Sequence, residues 1–128
     1  MLDQVFHTID VENANFKPID IVEKYTNQYH TLKYVPNTYW HLRYTHLVGY
    51  GAKYYSYLIS KAIASKIWLD CFEKNPLSST AGENYRKKLL QFGGERRPQE
   101  LIDSLIGFNI NTESLVKSLA DNLSKNPY

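Results

Sequence analysis

A single cysteine, Cys71, stands among 128 residues, so an intramolecular disulfide is excluded and nothing points to an oxidising compartment. Long apolar runs are missing too. Lys61, Lys66 and Asp70 interrupt the longest candidate, which falls short of the roughly 18 residues a membrane helix needs, and no membrane partner is expected. Charge of one sign is scarce: 15 Lys and Arg against 13 Asp and Glu leave a formal +2. That balance lacks the footprint of a nucleic-acid-binding surface. The opening residues Met1-Leu2-Asp3-Gln4-Val5-Phe6-His7 have an early acid and no basic region, so they resemble neither a signal peptide nor an Arg-rich transit peptide. Repeats, low-complexity tracts and linkers are absent, and the length fits one core. A single helical unit over residues 1–128 is expected.

Against these scarcities stand eleven tyrosines. The string His46-Leu47-Val48-Gly49-Tyr50-Gly51-Ala52-Lys53-Tyr54-Tyr55-Ser56-Tyr57 sets four phenols and an imidazole around two glycines. Glycine permits left-handed backbone or a close approach, and each phenol joins an apolar ring to a hydrogen-bonding hydroxyl. On a helix, Tyr54 and Tyr57 share a face and Tyr55 points elsewhere, while His46 and Tyr50 reach the same place from a loop. Such a strip can grip a peptide. Tyrosines at this spacing also serve as amphipathic core or boundary residues, and both readings stand on the residues alone.

The periodicity predicts a mainly α chain. Leu2, Val5, Phe6 and Ile9 fit a short opening helix, followed by a polar loop through Asn13-Ala14-Asn15. Pro18 suits the first turn of a second, whose stripe is Ile19, Val22, Tyr25, Tyr29 and Leu32 and which ends at Val35-Pro36-Asn37. Residues 38–51 are aromatic without clean period and read as extended or irregular. A long helix over about 52–73 follows, closed by Asn75-Pro76. Thr80-Ala81-Gly82-Glu83 reads as a capping box, Gly93-Gly94 as a helix stop, Pro98 as a helix start with Leu101, Ile102 and Leu105 inward, and Gly107 as its end. Asn111 or Thr112 caps the last helix, with Leu115, Leu119 and Leu123 on its apolar face. Gly93-Gly94-Glu95-Arg96-Arg97 lacks the strand and the Lys-Ser/Thr of a nucleotide loop, so a helix terminator with solvated arginines is the better account. Cys71, within an apolar stretch, reads as a buried inert thiol.

The order of these strings resembles the C-terminal part of the thimet-oligopeptidase family of zinc metallopeptidases. The resemblance is specific over residues 44–107. It continues past the tyrosine strip through Cys71-Phe72, Asn75-Pro76-Leu77, Ala81-Gly82, Tyr85-Arg86, Gly93-Gly94-Glu95-Arg96-Arg97-Pro98 and Glu100-Leu101, and Leu2-Asp3-Gln4-Val5-Phe6-His7 resembles an upstream segment of the family. Members bind zinc through His-Glu-x-x-His and a further glutamate, and no such string occurs here. His41 and His46 are five apart, off the i, i+4 spacing of a helical metal pair, so no metal-ligating residue is expected in this chain.

The resemblance implies the helical, substrate-facing C-terminal portion of a larger zinc-peptidase catalytic domain, inactive alone, whose zinc is supplied by an N-terminal portion not present here. It implies Tyr57 as the catalytic oxyanion donor, His46 and Tyr54 as binders of the substrate backbone, Tyr50 as a further binder, and Gly49 and Gly51 as the hinges of a closing loop. The single glycine between Val48 and Tyr50 favours the mitochondrial members, which are similar in removing short N-terminal peptides from imported precursor proteins in the matrix. The rival reading is a non-enzymatic helical module that binds a peptide or partner protein through the same aromatics.

Overall fold

The computed structural model describes residues 1–8, 15–107 and 110–125. Among them the protein is mainly α, with seven α-helices and no strand. Ile9, Asn13 and Ala14 of the expected opening helix and loop lie outside the described residues. The chain divides into two compact units, Met1–Tyr57 and Leu58–Tyr128.

In the first unit, α1 (Leu2–Phe6) packs on α2 (Pro18–Tyr29). Pro18 occupies the first turn of α2 and Asp20 lies near its positive end, as the sequence leads one to expect. Val22 is completely buried, which contributes about 1.5–3 kcal/mol against leaving it in water. The helix ends earlier than its apolar stripe suggested. His30 turns extended, Leu32 is exposed, and the Asn27 side chain accepts from the Tyr34 amide at 2.9 Å. A side chain hydrogen-bonding the backbone ahead of it competes with helix.

Residues 38–51, expected to be extended or irregular, contain two short helical turns joined by irregular residues. A 3₁₀ turn covers Trp40–Arg43 and a short helix, α3, covers His46–Gly49. Neither shows the 3.6-residue stripe because both are too short to develop one. His41 is buried and Trp40 packs against it edge-on at 6.4 Å between ring centres.

α4 covers Ser56–Ile67 and runs on into a π-helical turn over Trp68–Phe72, where the Glu73 amide reaches back to the Trp68 carbonyl at 2.8 Å. Its start at Ser56 corrects the expected start near Ala52. Ala52 has φ of 59°, a left-handed conformation no helix accepts. The helix places Ala62, Ser65 and Ile67 inside and leaves Leu58, Ile59 and Trp68 exposed. Cys71 is half-buried, and burial pushes its thiol pKa up, with the nearby Asp70 adding to the effect. The thiol is held in its unreactive form.

In the second unit, α5 (Ser79–Lys88) packs on α6 (Pro98–Ile106), and α7 covers Thr112–Lys125. Ser78, not Thr80, caps α5 by accepting from the Ala81 amide at 3.2 Å. Glu83 turns instead to Arg86 at 2.8 Å and Lys87 at 3.3 Å; the Arg86 hydrogen bond first, then that from Lys87, holds its carboxyl down at about 2. α6 follows its sequence reading closely, with Leu101, Ile102 and Leu105 buried and Gly107 left-handed at φ 88°. Asn111 caps α7, accepting from the Ser114 amide at 2.8 Å. Gly93 takes positive φ after the 3₁₀ turn Leu90–Phe92, and Arg96 lies over the Phe92 ring at 3.9 Å. That arginine is occupied by a cation–π contact.

Candidate functional site

The tyrosine strip is gathered at the end of the first unit. α3 carries His46 on its first turn, and Tyr50 caps its end by donating its amide to the His46 carbonyl at 3.0 Å. Tyr54 stands in the turn before α4 and Tyr57 on the helix's first turn. The Tyr57 amide reaches the Tyr54 carbonyl at 3.3 Å, which keeps the three-residue spacing of a helical face although Tyr54 lies outside the helix. The two ring centres are 5.1 Å apart.

His46 is the hub. Its ring lies 5.6 Å from Tyr54, 6.1 Å from Tyr50 and 6.1 Å from Tyr57, each contact edge-on. The Tyr57 hydroxyl approaches its Nε2 at 3.4 Å, and the Tyr50 hydroxyl meets Ser56 Oγ at 3.2 Å. Edge-to-face rings at these separations attract one another by about 0.5–1.5 kcal/mol per pair beyond the area they bury. Tyr57 is 53% exposed and Tyr54 38%, so within these residues the cluster is not sealed as a core.

Tyr44 belongs to the cluster and was not singled out in the sequence. Its ring stands 5.4 Å from His46 and 5.5 Å from Tyr54. A side-chain hydrogen bond with Tyr54, then burial, push its phenol pKa up to about 12. The sign follows from linkage: the folded state holds this proton more tightly than the unfolded chain, so the stabilisation is complete below pH of about 10 and is lost as pH rises toward 12. Stability of the native protein is therefore expected to decline over that window, and less steeply in Tyr44→Phe. Equilibrium unfolding at several alkaline pH values checks this, and identical slopes for the two proteins would refute it.

What holds the strip is a second surprise, supplied by α1. Asp3 is 6% exposed, and its two carboxylate oxygens accept from the Ala52 amide at 2.9 Å and the Tyr54 amide at 3.0 Å. Gln4 Nε2 donates to the Ala52 carbonyl at 2.7 Å. His7 Nδ1 lies 2.7 Å from the Asp3 carbonyl and 3.2 Å from its carboxylate, and its Nε2 presses on Gly51. A Cβ on Gly51 would lie 2.4 Å from that nitrogen, whereas Gly49, the last residue of α3, has nothing within 4 Å. The two glycines thus differ in kind. Gly51→Ala has to displace the tip of the His7 ring and is expected to cost up to about 1 kcal/mol; Gly49→Ala, in open space on a helix, is expected to be neutral or stabilising by up to about 1 kcal/mol. Thermal unfolding of both variants checks the contrast, which equal shifts would remove.

Beside α3 lies a mainly apolar cavity of about 710 Å³, lined among others by Phe6, Phe16, His41, Tyr44 and Leu47. The buried His41 Nδ1 has no hydrogen-bond partner among the described residues. Tyr55 is exposed.

None of this builds a metal centre. Among the described residues no three His, Cys, Asp or Glu side chains come together to hold an ion, and the donors at the strip are phenols, one imidazole and a carboxylate already used by two amides. The strip offers phenol hydroxyls and an imidazole as hydrogen-bonding groups.

The model of Peptidase family M3 matches residues 1–121. The chain belongs to that family. Mitochondrial intermediate peptidase of Homo sapiens is 40% identical over 123 residues, covering 95% of this chain and 17% of that protein. The Rattus norvegicus protein of the same name is 40% identical over 123 residues, 96% of this chain and 17% of its own length. Its namesake from Leucoagaricus gongylophorus is 41% identical over 106 residues, 82% of this chain and 14% of its own length. The chain therefore spans less than a fifth of the length of these relatives. Membership of the family agrees with the resemblance read from the tyrosine strip and the strings that follow it.

Proposed function

We propose that residues 1–128 form one helical piece of a zinc metalloendopeptidase catalytic domain, the piece that presents the substrate-binding wall. The observation that carries this reading is the convergence of the Tyr50, Tyr54 and Tyr57 rings on His46, in a chain of Peptidase family M3. Peptide backbones offer alternating carbonyl acceptors and amide donors, and phenols and a neutral imidazole serve both. In the proposed assignment, Tyr54 and His46 bind the substrate backbone, with Tyr50 as a further contact, and Tyr57 donates to the oxygen that gains negative charge in the tetrahedral intermediate. Gly49 and Gly51 border the turn that carries Tyr50; any closing motion there has to release the His7 contact on Gly51.

The residues here do not fit a zinc ion, so zinc is assigned to a His-Glu-x-x-His portion of the same enzyme outside these 128 residues. By likeness to the relatives named mitochondrial intermediate peptidase, the substrates are precursor proteins that lose a short N-terminal peptide, and the location is the mitochondrial matrix.

The test has two arms. The 128-residue chain alone is expected to bind no stoichiometric zinc and to leave a quenched-fluorescent peptide uncut, whereas the longer protein that includes it should bind zinc and cut the peptide. Chelator-sensitive turnover by the short chain, or a zinc-free and inactive longer protein, would overturn the reading.

A further inference from the structure

Residues of α1 and the adjoining His7 hold the turn at residues 51–54 by several contacts. Gly51 rests against His7, the Ala52 amide is held by Asp3, the Ala52 carbonyl by Gln4, and the Tyr54 amide by Asp3 again. Ala52 needs this grip. A positive φ on alanine, 59° here, is disfavoured and persists only where the surroundings over-determine it. Both backbone polar groups of that one residue are taken by neighbouring side chains of α1, which is the over-determination required.

The choice of a carboxylate is informative. Burying a charge is costly unless its hydrogen bonds are made, and a serine or asparagine satisfies a single amide without that cost. A carboxylate is the compact side chain that offers two equivalent acceptors and no donor. Asp3 uses both on amides two residues apart, one of them Tyr54's own. From Tyr54 the constraint passes through a single hydrogen-bonded turn to Tyr57, whose amide is 3.3 Å from the Tyr54 carbonyl. Forty-nine residues separate Asp3 from Ala52, so the link is tertiary, within one compact unit.

We propose that Asp3 is the positioning residue of the tyrosine wall: by capping the Ala52 and Tyr54 amides it sets where the Tyr54 and Tyr57 hydroxyls stand. Its effect on turnover rests on the function proposed above for Tyr57, and the experiment separates the two. Asp3→Asn keeps size and one acceptor but turns an N–H toward one of the amides. In the complete enzyme carrying 3-fluorotyrosine at position 57, the fluorine resonance is expected to move in Asp3→Asn. kcat should fall about 10-fold, because Tyr57 is displaced, and KM should rise as well, because Tyr54 is displaced with it. On a Tyr57→Phe background the same substitution should cost less than about twofold in kcat, because the hydroxyl it places is gone.

An unmoved fluorine signal in folded Asp3→Asn enzyme overturns the proposal. So does a full 10-fold loss added on top of Tyr57→Phe, or a wild-type kcat for Asp3→Asn when Tyr57→Phe is impaired. A moved signal with wild-type kcat in both single variants sinks the catalytic reading of Tyr57 and leaves the positional link standing. If Asp3→Asn does not fold, Asp3→Glu keeps both carboxylate oxygens and displaces them by one methylene from the Ala52 and Tyr54 amides. The signal is then expected to move, and an unmoved one overturns the proposal.

Discussion

Asp3→Ala is expected to destabilise the first unit by about 3–4 kcal/mol, the largest stability effect of any single substitution in it, because two charge-assisted hydrogen bonds disappear and two amides lose their acceptor. Each bond to a charged acceptor contributes about 1.5–3 kcal/mol, and an unsatisfied buried donor costs about 1–3. Water entering the site offsets part of that sum. Small domains hold only about 5–15 kcal/mol in total, so the loss takes a large share. Trp40 lies in the first unit and Trp68 in the second, which makes the measurement local. In a Trp68→Phe background, urea unfolding followed by Trp40 fluorescence should show a lower midpoint with unchanged slope. A stability within about 0.5 kcal/mol of the parent, the range of an ordinary surface substitution, would mean that the cap is ornamental.

Asp3 also marks the limit of what the sequence discloses. α6 is legible because its information is local: Pro98 opens it, Leu101, Ile102 and Leu105 recur at helical spacing, and Gly107 closes it in a conformation that glycine alone adopts cheaply. The grouping of His46, Tyr50, Tyr54 and Tyr57 is legible for a related reason, since turns of three or four residues bring them together whether or not the backbone is strictly helical. Asp3 and Tyr44 join that group through tertiary contacts. One acidic residue in an opening segment carries no signal that it will cap amides 49 and 51 residues later.

The misjudged start of α4 has the same origin. Alanine is the best helix former, so Ala52 reads as the first residue of a helix. Asp3 and Gln4 instead hold it left-handed, and helix begins only at Ser56. Residues 38–51 fail differently. A 3₁₀ turn and a four-residue helix are shorter than the window over which periodicity is measured, and the exposed Leu42 and Val48 break any apolar pattern that remains. Exposed Leu58 and Ile59 on α4 have the spacing of core residues without being covered, which suits a piece that spans less than a fifth of its relatives.

The largest effect on rate is expected from Tyr57→Phe in the complete enzyme. The substitution removes one oxygen and leaves the ring among Tyr50, Tyr54 and His46, so packing is retained and the hydrogen bond is isolated. A donor used only in the transition state lowers kcat without raising KM, and loss of an oxyanion donor typically costs about 100-fold or more. Tyr54→Phe, at the proposed backbone-binding position, should raise KM more than it lowers kcat. It also removes the partner that raises the Tyr44 phenol, so the Tyr44 titration should move down toward ordinary phenol values in the same variant. Tyr55→Phe, outside the cluster, should do little to either constant. The three substitutions thus separate ring packing, substrate binding and transition-state donation by the pattern of kcat against KM. Near-wild-type kinetics for Tyr57→Phe, with zinc content and melting temperature unchanged, would reduce the strip to a structural aromatic cluster and remove Tyr57 from the chemistry.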